Sequence, residues 1–140
     1  MIKKTLRLSN IDDNKNILLF TIASSESDIH LCLLINKIFK ISLSLSEDLI
    51  GPFNSSSTGF RKYEYEKIEE EKFILIINRN SSGKILMPEL KKIDYIFLII
   101  SEIPATSYDR RIQQLKEDNT ITAIFKLDPV TVKSFSKLKL

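Results

Sequence analysis

The sequence predicts an α+β fold, a mainly antiparallel sheet with two helices packed on one of its faces. Three observations carry this expectation. Segments of strand character follow one another with only turn residues between them, which favours antiparallel pairing. Two stretches show helical apolar spacing, each opened by a Ser/Thr-x-x-Asp pattern. Three runs (ILLFTI from Ile17, FILII from Phe73 and YIFLII from Tyr95) are apolar at nearly every position, as strands covered on both faces are.

Taken in order, Ile2, Lys4, Leu6 and Leu8 alternate as a short strand with one buried face. Asp12 to Asn16 is turn chemistry, and Ile17 to Ile22 returns as the second arm of a hairpin. Ser25 and Asp28 have capping-box spacing and open a helix whose stripe is Leu31, Leu34, Ile35, Ile38 and Phe39. Ile41, Leu43 and Leu45 alternate with serines in a short strand, and residues 51–59 are a loop by composition. In Arg61 to Glu66, Tyr63 and Tyr65 point one way and Lys62, Glu64 and Glu66 the other, giving a strand with one wet face. Phe73 to Asn78 and Tyr95 to Ile100 are buried strands on either side of the turn Asn80 to Gly83 and the segment that follows it. Thr106 and Asp109 cap a second helix with Tyr108, Ile112 and Leu115 on one face, and Ile121 to Leu127 is the last strand. The order is ββαββββαβ, a ferredoxin-like variant enlarged by a hairpin, with residues 1–140 as one domain.

This reading leaves a face to be covered. Two helices shield one side of the sheet, and apolar patches beyond a few hundred Å² are rare on monomers. The 51–59 loop with the C-terminal tail, or a second copy of the chain, supplies the other cover, and a homodimer is favoured.

Composition narrows the chemistry. Net charge is +3, and apart from Lys3, Lys4 and Arg7 at the start and Lys133, Lys137 and Lys139 at the end the charges are mixed. The terminal groups would make one basic patch if the termini met, but solvated ends are the plainer expectation. The N-terminal residues lack the apolar stretch of a signal peptide, and the apolar runs fall far short of the roughly 20 residues of a membrane helix. A cytoplasmic protein without membrane contact is expected. The lone Cys32, with apolar neighbours in a helix, reads as a buried unactivated thiol, and the lone His30 as a surface residue. Three glycines leave little material for a phosphate loop, and no nucleotide-binding, metal-spaced or Ser-His-Asp pattern is present. No cofactor, metal or catalytic group is expected.

The segment Ser82 to Tyr95, SGKILMPELKKIDY, holds the densest group of polar residues between apolar strands. Pro88 presets a turn, Glu89 suits the first turn of a short helix, and Asp94 precedes a strand and suits capping of loop amides. Arg79 lies close enough in sequence to pair with Glu89 or to hold an anion. Met87 to Tyr95, MPELKKIDY, resembles the signature of the bacterial IPExxxVDY family, with Met for the first Ile and Ile for Val. Leu31 to Lys37 is similar to that family's first helix, and Tyr63 to Glu66 with Asn78 to Gly83 to its central hairpin and turn. The resemblance covers nearly the whole chain and implies a bacterial origin; it brings no activity, cofactor or catalytic residue with it.

Functionally, the expectation is a non-catalytic protein-interaction module, binding a protein partner or a second copy of itself through Arg79, Pro88, Glu89, Asp94 and Tyr95. The alternative is an RNA-binding accessory protein using the terminal lysines, with Tyr63, Tyr65 and Tyr95 as stacking surfaces. A second alternative is a small enzyme using Glu89 and Asp94 as a carboxylate pair.

Overall fold

The computed structural model describes residues 15–49, 59–67, 70–90, 92–132 and 135. The elements are β1 (Asn16–Ser24), α1 (Asp28–Phe39), β2 (Ser44–Leu45), β3 (Lys62–Lys67), β4 (Glu71–Ile77), β5 (Tyr95–Ser101), α2 (Asp109–Lys116) and β6 (Ile121–Leu127). They form one six-stranded sheet in the order β2-β3-β4-β5-β1-β6, antiparallel at every pairing. The run β6-β1-β5-β4, with α1 following β1 and α2 following β5, is the connectivity of the ferredoxin-like fold. Strands β2 and β3 enlarge it at the β4 edge. The expected strand over Ile2 to Leu8 lies outside the described residues. The hairpin expected between that segment and Ile17 to Ile22 is not how β1 pairs: Asn16 to Ile22 faces β5, and Leu19 to Ser24 faces β6.

The three unbroken apolar runs are the three central strands, and each buries side chains on both sides. Towards the helices point Leu18, Phe20 and Ile22 of β1, Phe73 and Leu75 of β4, and Phe97 and Ile99 of β5. They meet Leu31, Cys32, Ile35 and Phe39 of α1, with Tyr108 and Leu115. Phe39 is the hub: its ring stands edge-on to Phe97 at 5.4 Å and to Phe73 at 5.9 Å. Such contacts add about 0.5–1.5 kcal/mol each to the burial itself.

Towards the other side point Leu19, Ile74, Ile76, Ile96, Leu98 and Ile100. The chain itself covers them. Leu49 and Phe60, bridged to each other, and Val132 and Phe135 from the C-terminal tail pack on them; residues 51–58 of the expected loop cover lie outside the described residues. Gly59 permits the Leu49–Phe60 approach, since a Cβ there would lie 2.5 Å from the Asp48 Cβ. The unanticipated cover is Leu86 and Met87, both fully buried. The far face is therefore closed within one chain, and a second copy is not needed to shield it.

Three local expectations are corrected. The N-cap of α1 is Ser27, whose Oγ accepts from the His30 N–H, so Asp28 is the first helical residue and its carboxylate is released for other contacts. The Thr106/Asp109 box does not form. Residues Ala105–Tyr108 wind as a 3₁₀ turn after Pro104, and Tyr108 is drawn into the core, where its hydroxyl bonds Glu71 and Ser101. The face of β3 opposite the tyrosines is not wholly wet: Lys62 is buried and its Nζ lies 2.6 Å from Glu64, which also faces Lys72. A lysine stem can pack on apolar surface while its ammonium keeps a partner.

Candidate functional site

The segment after β4 is organised by a residue outside the expected set. Asn78 ends the apolar run of β4 and is buried. Its Oδ1 accepts from the Met87 N–H (3.0 Å), and its Nδ2 donates to the carbonyls of Leu90 (2.9 Å) and Ile93 (3.0 Å). Its backbone N–H donates to Asp94 and its carbonyl accepts from Leu86. One side chain thus clips both ends of the Pro88–Leu90 3₁₀ turn to the sheet and seats Leu86 and Met87 on the far face. A lone carboxamide closing an otherwise apolar strand is the signal that would have found it.

The five expected residues occupy this clip in different ways. Asp94 accepts the Ser24 N–H through Oδ2 (2.8 Å) while its own N–H donates to the Ile22 carbonyl, joining the start of β5 to the end of β1. Tyr95 is buried and its hydroxyl donates to the Glu26 carbonyl. Arg79 donates to the Gly83 carbonyl (2.9 Å) across its own turn. Pro88 and Glu89 are exposed on the crest. Arg79, Pro88, Glu89 and Asp94 all reach solvent, whereas Tyr95 is a strut.

Beside Tyr95 lies a second polar knot. Asp28 Oδ2 accepts from Tyr63 OH (2.6 Å) and Arg61 Nη1 (2.7 Å), tying the first turn of α1 to β3. Burial works to raise the Asp28 pKa, but these two donors outweigh it and hold the carboxyl below its usual range. Burial, then the bond to Asp28, pushes Tyr63 up to about 12; burial, then the nearby Asp28 and Asp94 charges, does the same to Tyr95. Both rings are enclosed with their hydroxyls engaged, so neither offers the stacking surface expected of it. His30 is exposed and its Nδ1 lies 3.1 Å from Glu26. Cys32 is buried and its thiol is raised, by burial first and then by the Asp28 charge, in keeping with an unactivated group.

A sizeable concavity lies elsewhere, between the end of α1 and the start of α2. It measures about 590 Å³ and is lined by Lys37, Lys40, Ser107, Arg110, Arg111 and Gln114, together with Ile38. Sequence reasoning missed it because its two walls lie far apart in the chain. The available clue was a pair of arginines directly after the acidic residue that opens a helix, where the dipole favours anions. The terminal lysines Lys133, Lys137 and Lys139 lie outside the described residues. Among the described residues no helix is long and apolar enough to cross a membrane.

Compared with family models, with curated proteins and with solved structures, the chain finds no match.

Proposed function

We propose that this chain is a non-catalytic protein-interaction module, bacterial and cytoplasmic, which joins a second copy of itself across the open edge of β6. The observation that carries the reading is β6: a seven-residue strand whose only strand partner among the described residues is β1, with Phe125 58% exposed. An unguarded edge offers a row of free N–H and C=O groups to another strand. The strand is also self-complementary. A two-fold axis through Ile124 sets Ala123 opposite Phe125 and brings Thr122, the residue that β1 leaves unpaired at the irregularity before Ala123, nearest to Lys126. Lys126, the only charge in the strand, then meets a threonine and not its own copy. Exposed Val130 lies just beyond and widens the apolar margin.

Light scattering behind size exclusion tests this. The wild-type chain is expected as a dimer at micromolar concentration. Thr122→Lys, which faces lysine with lysine, is expected as a monomer with its far-ultraviolet circular dichroism unchanged. A wild-type monomer at high micromolar concentration removes the reading. A second surface is favoured by the exposed Pro88 and Glu89 on a backbone pinned by Asn78, since a binding loop gains from being held in advance. The likeness to the IPExxxVDY family belongs to the same proposal: its Pro-Glu and Asp-Tyr are the turn and the strand start that Asn78 and Asp94 fasten.

A further inference from the structure

We infer that the cleft between α1 and α2 binds the phosphate backbone of a single-stranded nucleic acid. The inference is independent of the β6 edge. Four cations line the cleft, Lys37 and Lys40 from α1 and its cap, Arg110 and Arg111 from α2. No carboxylate lines it, and among the described residues none of the four cations is in a salt bridge. Lys37 is explained by the fold alone, since a cation suits the last turn of α1. The other three are not. Arg110 and Arg111 sit in the first turn of α2, where the helix dipole opposes positive charge. Lys40 holds the left-handed conformation (φ 56°) at the end of α1, a position that glycine or asparagine fills at less cost. Several locally unfavourable choices converge on one cavity, and an anion there would relieve the charge crowding.

The shape and neighbours of the cleft select the anion. A second hollow of about 260 Å³ adjoins it, sharing Lys40 and Arg111 and adding Lys67, Glu71 and the partly exposed Tyr65. Glu71 is committed to the Tyr108 hydroxyl. Arg111 is steadied over the Phe39 ring at 5.9 Å, and a guanidinium stacked in this way still has a planar fork of donors that suits a phosphate. The result is a track of cations ending at an aromatic ring. That combination suits a single strand, whose phosphates follow the charge while a base stacks on the ring.

The test is fluorescence anisotropy of a labelled single-stranded RNA of mixed sequence, with the matching DNA and a polyglutamate peptide as competitors. With about four phosphates neutralised, the log–log salt slope is about −2.8, so affinity falls about fifty-fold between 50 and 200 mM salt. The exposed pair Lys37→Gln with Arg110→Gln is expected to weaken binding at low salt and reduce that fall to about seven-fold. Exposed Lys116→Gln, which lines neither the cleft nor the β6 edge, is the control and should bind as wild type. Competition by unlabelled RNA or DNA, with polyglutamate ineffective, supports the assignment. No binding at low salt overturns it. So does equal weakening by Lys116→Gln, or equal competition by polyglutamate, which would assign the cleft to acidic protein. Circular dichroism melts of each variant separate lost binding from lost fold.

Discussion

Replacing Asn78 by alanine should unfasten the segment from Leu86 to Asp94. The side chain is 1% exposed and makes three hydrogen bonds at 2.9–3.0 Å, one to a buried amide and two to carbonyls. Each is worth about 1 kcal/mol net, and a buried N–H left without an acceptor costs about 1–3 kcal/mol. The two carbonyls are half-buried and recover some water, so the total is about 4 kcal/mol. That is a large part of the roughly 5–15 kcal/mol of a domain, and at this chain length it corresponds to a fall in Tm of about 12 °C. The comparison is Asn80→Ala in the adjoining turn. There the carboxamide accepts from the Ser82 and Lys84 amides at 3.0 Å, but at the surface, and the loss should stay near 1 kcal/mol. Chemical denaturation of both variants, read by circular dichroism, decides. If Asn78→Ala costs no more than Asn80→Ala, burial is not what gives Asn78 its role and the clip is wrong.

Two predictions concern pH. Asp28 titrates lower in the folded chain than in the unfolded one, so the stability it contributes is complete above its ordinary value near 4 and is lost as pH falls through its folded value. The stability gap between wild type and Asp28→Asn should therefore be widest at neutral pH and close in acid; a gap constant down to pH about 3 would contradict this. Tyr63 and Tyr95 are raised to about 12, so their contribution is complete below about 10 and lost as pH rises through about 12. Phenolate absorbance of the folded chain should show them ionising above the range of free tyrosine, and Tyr63→Phe should remove one such late step; ionisation of both near 10 would refute their burial.

The fold was largely legible because its signals are strong and local. Runs such as FILII and YIFLII cannot leave a face in water, and the stripe from Leu31 to Phe39 has few other uses. The far-face cover was anticipated as loop and tail, but Leu86 and Met87 were hidden inside a segment whose polar residues drew attention first. Capping was misplaced where two candidates stood in a row: Ser27 and Ser25 offer the same hydroxyl, and only contact with Arg61 and Tyr63 shows that Asp28 is spent elsewhere. Lys62 was read as wet because alternation alone cannot show that Glu64 gives its ammonium a partner. The site was less legible than the fold. Asp94 and Tyr95 matter through partners near position 25, and the α1–α2 cleft joins residues 37–40 to 107–114, distances that no spacing rule reports.

Amide hydrogen exchange at Met87, followed residue by residue, tests the central claim most directly. The account holds that the segment after β4 is part of the sheet's far layer, with the Met87 N–H bound to Asn78 Oδ1 beneath a fully buried side chain. Its exchange should be as slow as that of the amides of Ile74 and Leu98 in the central strands and should follow global unfolding. Exchange at the rate of the amide of exposed Ser81 would mean that the segment opens on its own, and the far face would then lack the cover assigned to it.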